Sequence, residues 1–178
     1  MLRRPQAPGG RRTAPLQAVI VTVSTSKHGK MTRNEVVDDQ SGSEAERLIR
    51  EAGHVVSERF LVPDDPTALR RRMDGFLSGP GDIIVFVGGT GVSPDDITIE
   101  TLRPFLEKEF EGFGEILRRV SYPRIGVPAF LTRATAGTAK GKVIVCLPGS
   151  PDAVEAGLRT FADQFPLVVE EARANAPV

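Results

Sequence analysis

Apolar positions along this chain fall into short β-branched runs, separated by stretches that carry one apolar stripe at helical spacing. Ala18 to Val23 (AVIVTV), closed by Ser24, Thr25 and Ser26, predicts a buried strand. The polar, irregular residues 25–40 predict a loop at that strand's C-terminal end. A helix follows: Ser41 and Glu44 fit a capping box, Ala45, Leu48, Ile49 and Ala52 share one face, and Gly53 is the stop. His54 to Val62 reads as a second strand. Asp65 and Pro66 form an N-cap and first-turn pair for a helix with Leu69, Met73, Phe76 and Leu77 on one stripe.

Asp82 to Val87 (DIIVFV) predicts a third buried strand running into Gly88-Gly89-Thr90-Gly91. Thr98 or Asp96 would cap a helix reaching about Leu106, bent or split at Pro104. Phe113, Ile116, Leu117 and Val120 mark another helical face. Residues 121–141 give no assignment, because Pro123, Gly126, Pro128, Gly137 and Gly141 break every period. Lys142 to Leu147 (KVIVCL) is a further strand. Ser150 then caps a helix that Pro151 starts, with Val154, Leu158, Phe161 and Phe165 as its buried face. A last short helix is expected around Leu167 to Ala172.

Strands alternating with helices predict an α/β fold with a mostly parallel sheet covered on both faces. In such sheets ligands bind beyond the C-terminal strand ends. The loops at 24–40, 62–66, 88–97 and 147–151 leave those ends and hold most of the chemically interesting residues. Residues 1–16 differ: Arg3, Arg4, Arg11 and Arg12 sit among Pro5, Pro8, Gly9, Gly10 and Pro15 with no acid. They read as a flexible tail, either a solvated extension or a basic arm for phosphate or a partner. Residues 17–178 read as one domain.

Composition narrows the chemistry. The 178 residues balance 23 Lys and Arg against 23 Asp and Glu, which is not the profile of a general nucleic-acid binder. A single Cys excludes an internal disulfide framework and a Cys-based zinc site, so a metal here should be a hard cation on carboxylates. No apolar run is long enough to span a membrane and no signal-like segment opens the chain, so a cytoplasmic protein is expected.

The glycines at 88, 89 and 91 would let backbone amides approach an anion, with Thr90 and Ser93 as hydroxyl donors, or they make only a tight strand-to-helix turn. Asp64 and Asp65 follow the second strand, and Asp95 and Asp96 follow the third. Carboxylates converging beside a phosphate loop would suit one Mg²⁺ bridging protein and nucleotide phosphates; alternatively Asp65 and Asp96 are only helix caps. Asp39-Gln40-Ser41-Gly42 either aims a helix N-terminus at the site or is a plain cap. His28 reads as a surface residue, His54 as a strand start and Cys146 as a small buried hydrophobe. No Ser-His-Asp or Cys-His set suggests a protein nucleophile.

Taken together, Gly88-Gly89-Thr90-Gly91-Val92-Ser93-Pro94-Asp95-Asp96-Ile97-Thr98, Glu100, Gly112-Phe113-Gly114-Glu115 and Leu147-Pro148-Gly149-Ser150-Pro151 resemble the MoaB/Mog family of molybdenum-cofactor biosynthesis proteins. Asp39-x-Ser41-Gly42, Gly53-His54 and Val62-Pro63-Asp64 match it too, so the resemblance runs over about residues 17 to 172. It implies a three-layer α/β/α molybdopterin-binding fold. It implies an adenylyltransferase that moves AMP from Mg-ATP to the terminal phosphate of molybdopterin and releases pyrophosphate. It also implies a homotrimer or homohexamer and a downstream molybdate-insertion protein as partner.

By motif position, the resemblance makes Asp64 and Asp96 the key acidic residues and Mg²⁺ ligands. It makes Gly88, Gly89, Thr90 and Gly91 the phosphate loop. Ser24, Ser93, Glu100, Arg133, Pro148, Gly149 and Ser150 complete the expected ligand contacts. The chain departs from the family pattern at Asp95, where Arg is frequent, at Thr132 before Arg133, and at Thr25, where Asp is frequent. An added anion at 95 would weaken phosphate binding unless it points away or Arg133 or Lys142 compensates. A non-catalytic carrier or scaffold that holds molybdopterin or a nucleotide is therefore the rival expectation.

Overall fold

A computed structural model describes residues 14–174 of the chain; the Arg-rich segment called a tail lies almost wholly outside the described residues. The strands are β1 (Gln17–Val23), β2 (Val55–Val62), β3 (Ile83–Val87), β4 (Lys108–Glu109), β5 (Thr135–Ala139) and β6 (Lys142–Leu147). They form one sheet in the order β2-β1-β3-β6-β5-β4. β2, β1, β3 and β6 are mutually parallel; β5 and β4 join antiparallel at the far edge. The helices are α1 (Thr25–Thr32), α2 (Gln40–Glu51), α3 (Pro66–Ser78), α4 (Thr98–Leu102), α5 (Glu111–Ile125), α6 (Pro151–Phe161) and α7 (Phe165–Arg173).

The central strands are apolar on both sides because both sides are covered. Ile20, Val85, Val87 and Val145 face α2, α5, α6 and α7 through Ile49, Leu117, Leu158 and Phe165. Val21, Ile84, Phe86 and Ile144 face α3 and α4 through Leu69, Met73 and Leu102. This is the expected three-layer α/β/α sandwich. The chain leaves β1 toward β2 on one side, and β3 toward β6 on the other. The crevice outside the β1 and β3 C-termini is therefore a topological switch point.

Several expectations need correction. The expected loop at 25–40 begins with α1. No α1 residue is buried, so no apolar stripe announced it; the Ser24 hydroxyl caps it by accepting from the Lys27 amide. The α2 cap is Asp39, which accepts from the Gly42 amide, and Ser41 instead donates to the Gly149 carbonyl at 2.6 Å. Neither Thr98 nor Asp96 caps α4: Thr98 donates to the Gly88 carbonyl, and Asp96 accepts from the Ser93 amide. Pro104 does end α4, in a 3₁₀ turn over Arg103–Phe105. Residues 121–141, left unassigned, finish α5 and supply β5. Phe165 lies in α7 rather than α6. Ile116 faces solvent.

Asp39 ties the switch-point side together. It accepts from Thr22 of β1 at 2.9 Å, Arg59 of β2 at 2.7 Å and Lys27 of α1 at 3.3 Å. Gly42 has to be glycine, since a Cβ there would lie 2.1 Å from Asp39 Oδ2. Burial raises the Asp39 pKa, but Arg59, Thr22, the Gly42 amide and the Lys27 charge outweigh it and hold the carboxyl below its ordinary value. A depressed folded pKa adds stability above the unfolded value of about 3.9, lost as pH falls through the folded one. Asp39→Asn should cost about 1–2 kcal/mol at pH 7 from the weakened cap and lost ion pairs. Its deficit against wild type should shrink below about pH 4, read by urea unfolding at both pH values.

Candidate functional site at the C-terminal rim

All four C-terminal loops meet in one cleft of about 700 Å³, a size suited to a small-molecule site. β1 brings Thr22, Val23 and Ser24; α1 brings Lys27; the β2 end brings Asp64. The β3 end contributes Gly88–Gly91 and Asp96. Pro148, Gly149 and Ser150 come from the β6 end. Ile125, Pro128 and Leu131 add an apolar wall to the same cleft, and Ala153 lines it beside Ser150. A second cavity of about 600 Å³ between β2 and α3 holds none of the expected site residues.

The glycine turn is shaped by close backbone approach. Gly88 has φ +106° and donates its amide to the Leu147 carbonyl at 2.9 Å. A Cβ on it would stand 2.4 Å from the Val23 carbonyl oxygen. Gly89, at φ +60°, would strike Thr98 Oγ1 at 2.4 Å and Asp64 Oδ1 at 2.7 Å. A Cβ on Gly91 would meet Asp96 Oδ2 at 2.6 Å. Both carboxylates therefore stand against the same glycine turn. Asp64 Oδ2 accepts from the Thr25 amide at 2.7 Å and the Thr25 hydroxyl at 2.9 Å, leaving Oδ1 toward the turn.

Arg133 braces that turn from outside, donating to the Gly91 carbonyl at 2.7 Å and pairing with Glu100. Partial burial raises the Glu100 pKa, but the Arg133 hydrogen bond and charge outweigh it and hold the carboxyl below its ordinary value.

Of the expected contacts, Ser24, Asp64, Gly88, Gly89, Thr90, Gly91, Asp96, Arg133, Pro148, Gly149 and Ser150 are gathered here. Ser93 and Glu100 do not line the cleft: Ser93 contributes its amide to Asp96, and Glu100 reaches the site only through Arg133. Asp95 lies outside as well, in a small depression with Ser24, Thr25, Ser26 and Asp64. Lys142 is at the opposite rim, donating to the Gly79 and Gly81 carbonyls, and supplies no charge to the cleft. Asp65 is purely the α3 cap, bonded to the Ala68 amide. Cys146 is buried, which pushes its thiol up to about 12.

Sequence reasoning missed Lys27, Ser121, Arg124 and Asp152 as cleft residues. Lys27 was within reach, since it follows β1 directly. Arg124 and Ser121 belong to the unassigned stretch, and only packing of α5 against α6 brings them here.

The family described as probable molybdopterin binding domain matches residues 19–167. A relative from Methanocaldococcus jannaschii named probable molybdopterin adenylyltransferase is 32% identical over 155 residues, 86% of this chain and 92% of the relative. Molybdenum cofactor biosynthesis protein B of Staphylococcus aureus is 36% identical over 146 residues, 80% of this chain and 83% of the relative. The crystal structure of the tungsten cofactor synthesizing protein MoaB from Pyrococcus furiosus superposes with a TM-score of 0.79 at 32% identity, covering 90% of this chain and 99% of that one. A molybdopterin biosynthesis protein from Mycobacterium abscessus gives 0.78 at 28% identity over 89% and 97%.

Gly88→Ala combines a left-handed φ with a clash against main chain. It should lower the unfolding free energy by about 2 kcal/mol or more, measured by denaturant titration.

Proposed function

The chain belongs to the molybdopterin-binding domain family of molybdenum-cofactor biosynthesis proteins, and from that premise we propose that it is a molybdopterin adenylyltransferase. The observation that carries the proposal is the cleft itself, which is lined together by the glycine turn, the two carboxylates standing against it and an apolar wall. The apolar wall of Ile125, Pro128 and Leu131 suits a planar ring, and the polar side suits phosphates.

In the proposed reaction, an oxygen of the terminal molybdopterin phosphate attacks the α-phosphorus of ATP. A new P–O bond forms as the bond to the β-phosphate's bridging oxygen breaks, and pyrophosphate leaves with that electron pair. The attacking oxygen is already anionic, so no protein base is needed. This agrees with a cleft whose lining contains no His or Cys among the described residues. The protein's work is then positioning and charge stabilisation. The Gly89, Thr90 and Gly91 amides hold phosphate oxygens, while the Gly88 amide stays on the Leu147 carbonyl; Ser24 and Ser150 orient the ligands, and Arg133 keeps the turn in place.

Two aspartates fit Mg²⁺, which is commonly held by one or two carboxylates plus substrate phosphates rather than an all-protein cage. Among the described residues no group of three or more His, Cys, Asp or Glu is placed to hold a metal. Asp64 and Asp96 would hold the ion, which when bound would neutralise phosphate charge. Asp95 motivated the carrier reading. It lies in an adjoining depression that shares Ser24 and Asp64 with the cleft, and the turnover assay below separates that rival from the enzyme.

A soluble cytoplasmic protein fits the family; among the described residues no helix is long and apolar enough to cross a membrane. We also propose a homotrimer or homohexamer. The exposed apolar side chains of Tyr122, Val127 and Phe130 support self-association. A downstream molybdate-insertion protein is the proposed recipient of the product.

Asp96→Asn keeps an oxygen that can accept from the Ser93 amide, so the fold should survive. Turnover, followed by pyrophosphate release with ATP and molybdopterin, should fall about a hundredfold or more. Wild-type rates in that variant would remove Asp96 from the chemistry. Light scattering on the purified protein should return three or six chain masses; one chain mass would reject the oligomer.

A further inference from the structure

Lys27 sits in the first turn of α1 and lines the cleft beside Ser24 and Asp64. Its ammonium rests 3.3 Å from Asp39 Oδ1, the longest of the Asp39 contacts. Asp39 keeps Arg59, Thr22 and the Gly42 amide if Lys27 departs, so no buried carboxylate is orphaned. The Lys27 stem is flexible enough for its ammonium to move without shifting the first turn of α1, so Thr25 keeps its hold on Asp64. The other cleft cations are committed differently. Arg133 holds the Gly91 carbonyl and Glu100, and Arg124 pairs with Glu155. A lysine is a compact charge on a flexible stem with three donors, suited to following a phosphate.

We propose that Lys27 is a substrate-contacting residue. It exchanges Asp39 for the nucleotide's polyphosphate when Mg-ATP enters on the Asp64 side of the cleft. The exchange needs no proton transfer: the ammonium stays charged and trades one anionic partner for another. Asp39 thus holds the Lys27 ammonium in reserve, and its remaining contacts keep the α2 cap intact throughout. This inference rests on the nucleotide reading above.

Wild type, Lys27→Ala and Lys27→Arg should be compared by Mg-ATP calorimetry and by pyrophosphate release with each substrate varied. Lys27→Ala should weaken Mg-ATP binding, and raise the KM for ATP, by about tenfold. The KM for molybdopterin should change by less than about twofold, and Lys27→Arg should recover most of the ATP affinity. Thermal midpoints should agree within about 2 °C, since the Asp39 cluster retains its other donors. Equal Mg-ATP affinity in wild type and Lys27→Ala overturns the inference. So does a matching loss for molybdopterin, or an arginine variant as weak as the alanine one. If wild type binds Mg-ATP without turnover, the adenylyltransferase reading fails while the calorimetric comparison still decides Lys27. If wild type binds no Mg-ATP, both readings fall.

Discussion

The site depends on one close approach of main chain to main chain at the end of β3. Gly88 sits against the Val23 carbonyl of β1 so tightly that no side chain fits between them. From that position its amide reaches the β6 end at Leu147, and its carbonyl accepts from Thr98 at the start of α4. Three strand ends and one helix start are thereby tied through a single residue. With the next turn in place, the Gly89 carbonyl accepts from the Thr98 amide and the turn is closed. The glycines are thus required by the fold. Any anion-binding ability is a second consequence of the same bare backbone.

The electrostatics around this turn follow a common arrangement. Each cation lining the cleft rests on a carboxylate: Lys27 on Asp39, Arg124 on Glu155, Arg133 on Glu100. The acids facing the turn, Asp64 and Asp96, are instead held by neutral donors, the Thr25 amide and hydroxyl and the Ser93 amide. Neutral hydrogen bonds fix their orientation without neutralising their charge. Negative charge therefore remains at the turn, where a divalent cation and phosphates would gather. Thr25 matters here, because its hydroxyl and amide both orient Asp64 at a position where an acid would have repelled it.

How much was legible in the sequence depended on whether one local period governed a segment. β1, β3 and β6 are buried on both faces and read as unbroken apolar runs; Asp65-Pro66 and Ser150-Pro151 are complete local start signals, and each is found at its helix. α1 was invisible because it buries nothing and so carries no stripe. β5 was invisible because Thr135–Ala139 is built of small residues, and the Lys108 carbonyl packed over position 137 leaves room only for glycine. The capping box at Ser41 was a sound local signal that a distant partner overrode: the Gly149 carbonyl took the hydroxyl, and Asp39 took the cap.

By itself, then, the sequence determined the alternation of strands and helices, the loops that would carry chemistry, and the kinship written in the glycine turn and its neighbouring aspartates. These are local or near-local properties, set by periodicity and by motifs within a dozen residues. Tertiary structure decided which charges belong to the site. It sent Lys142 to the opposite rim and Glu100 behind Arg133, and it left Asp95 outside the cleft. It also brought in Lys27 and Arg124. Strand order and helix packing set those distances, and they join residues far apart along the chain that no single segment encodes.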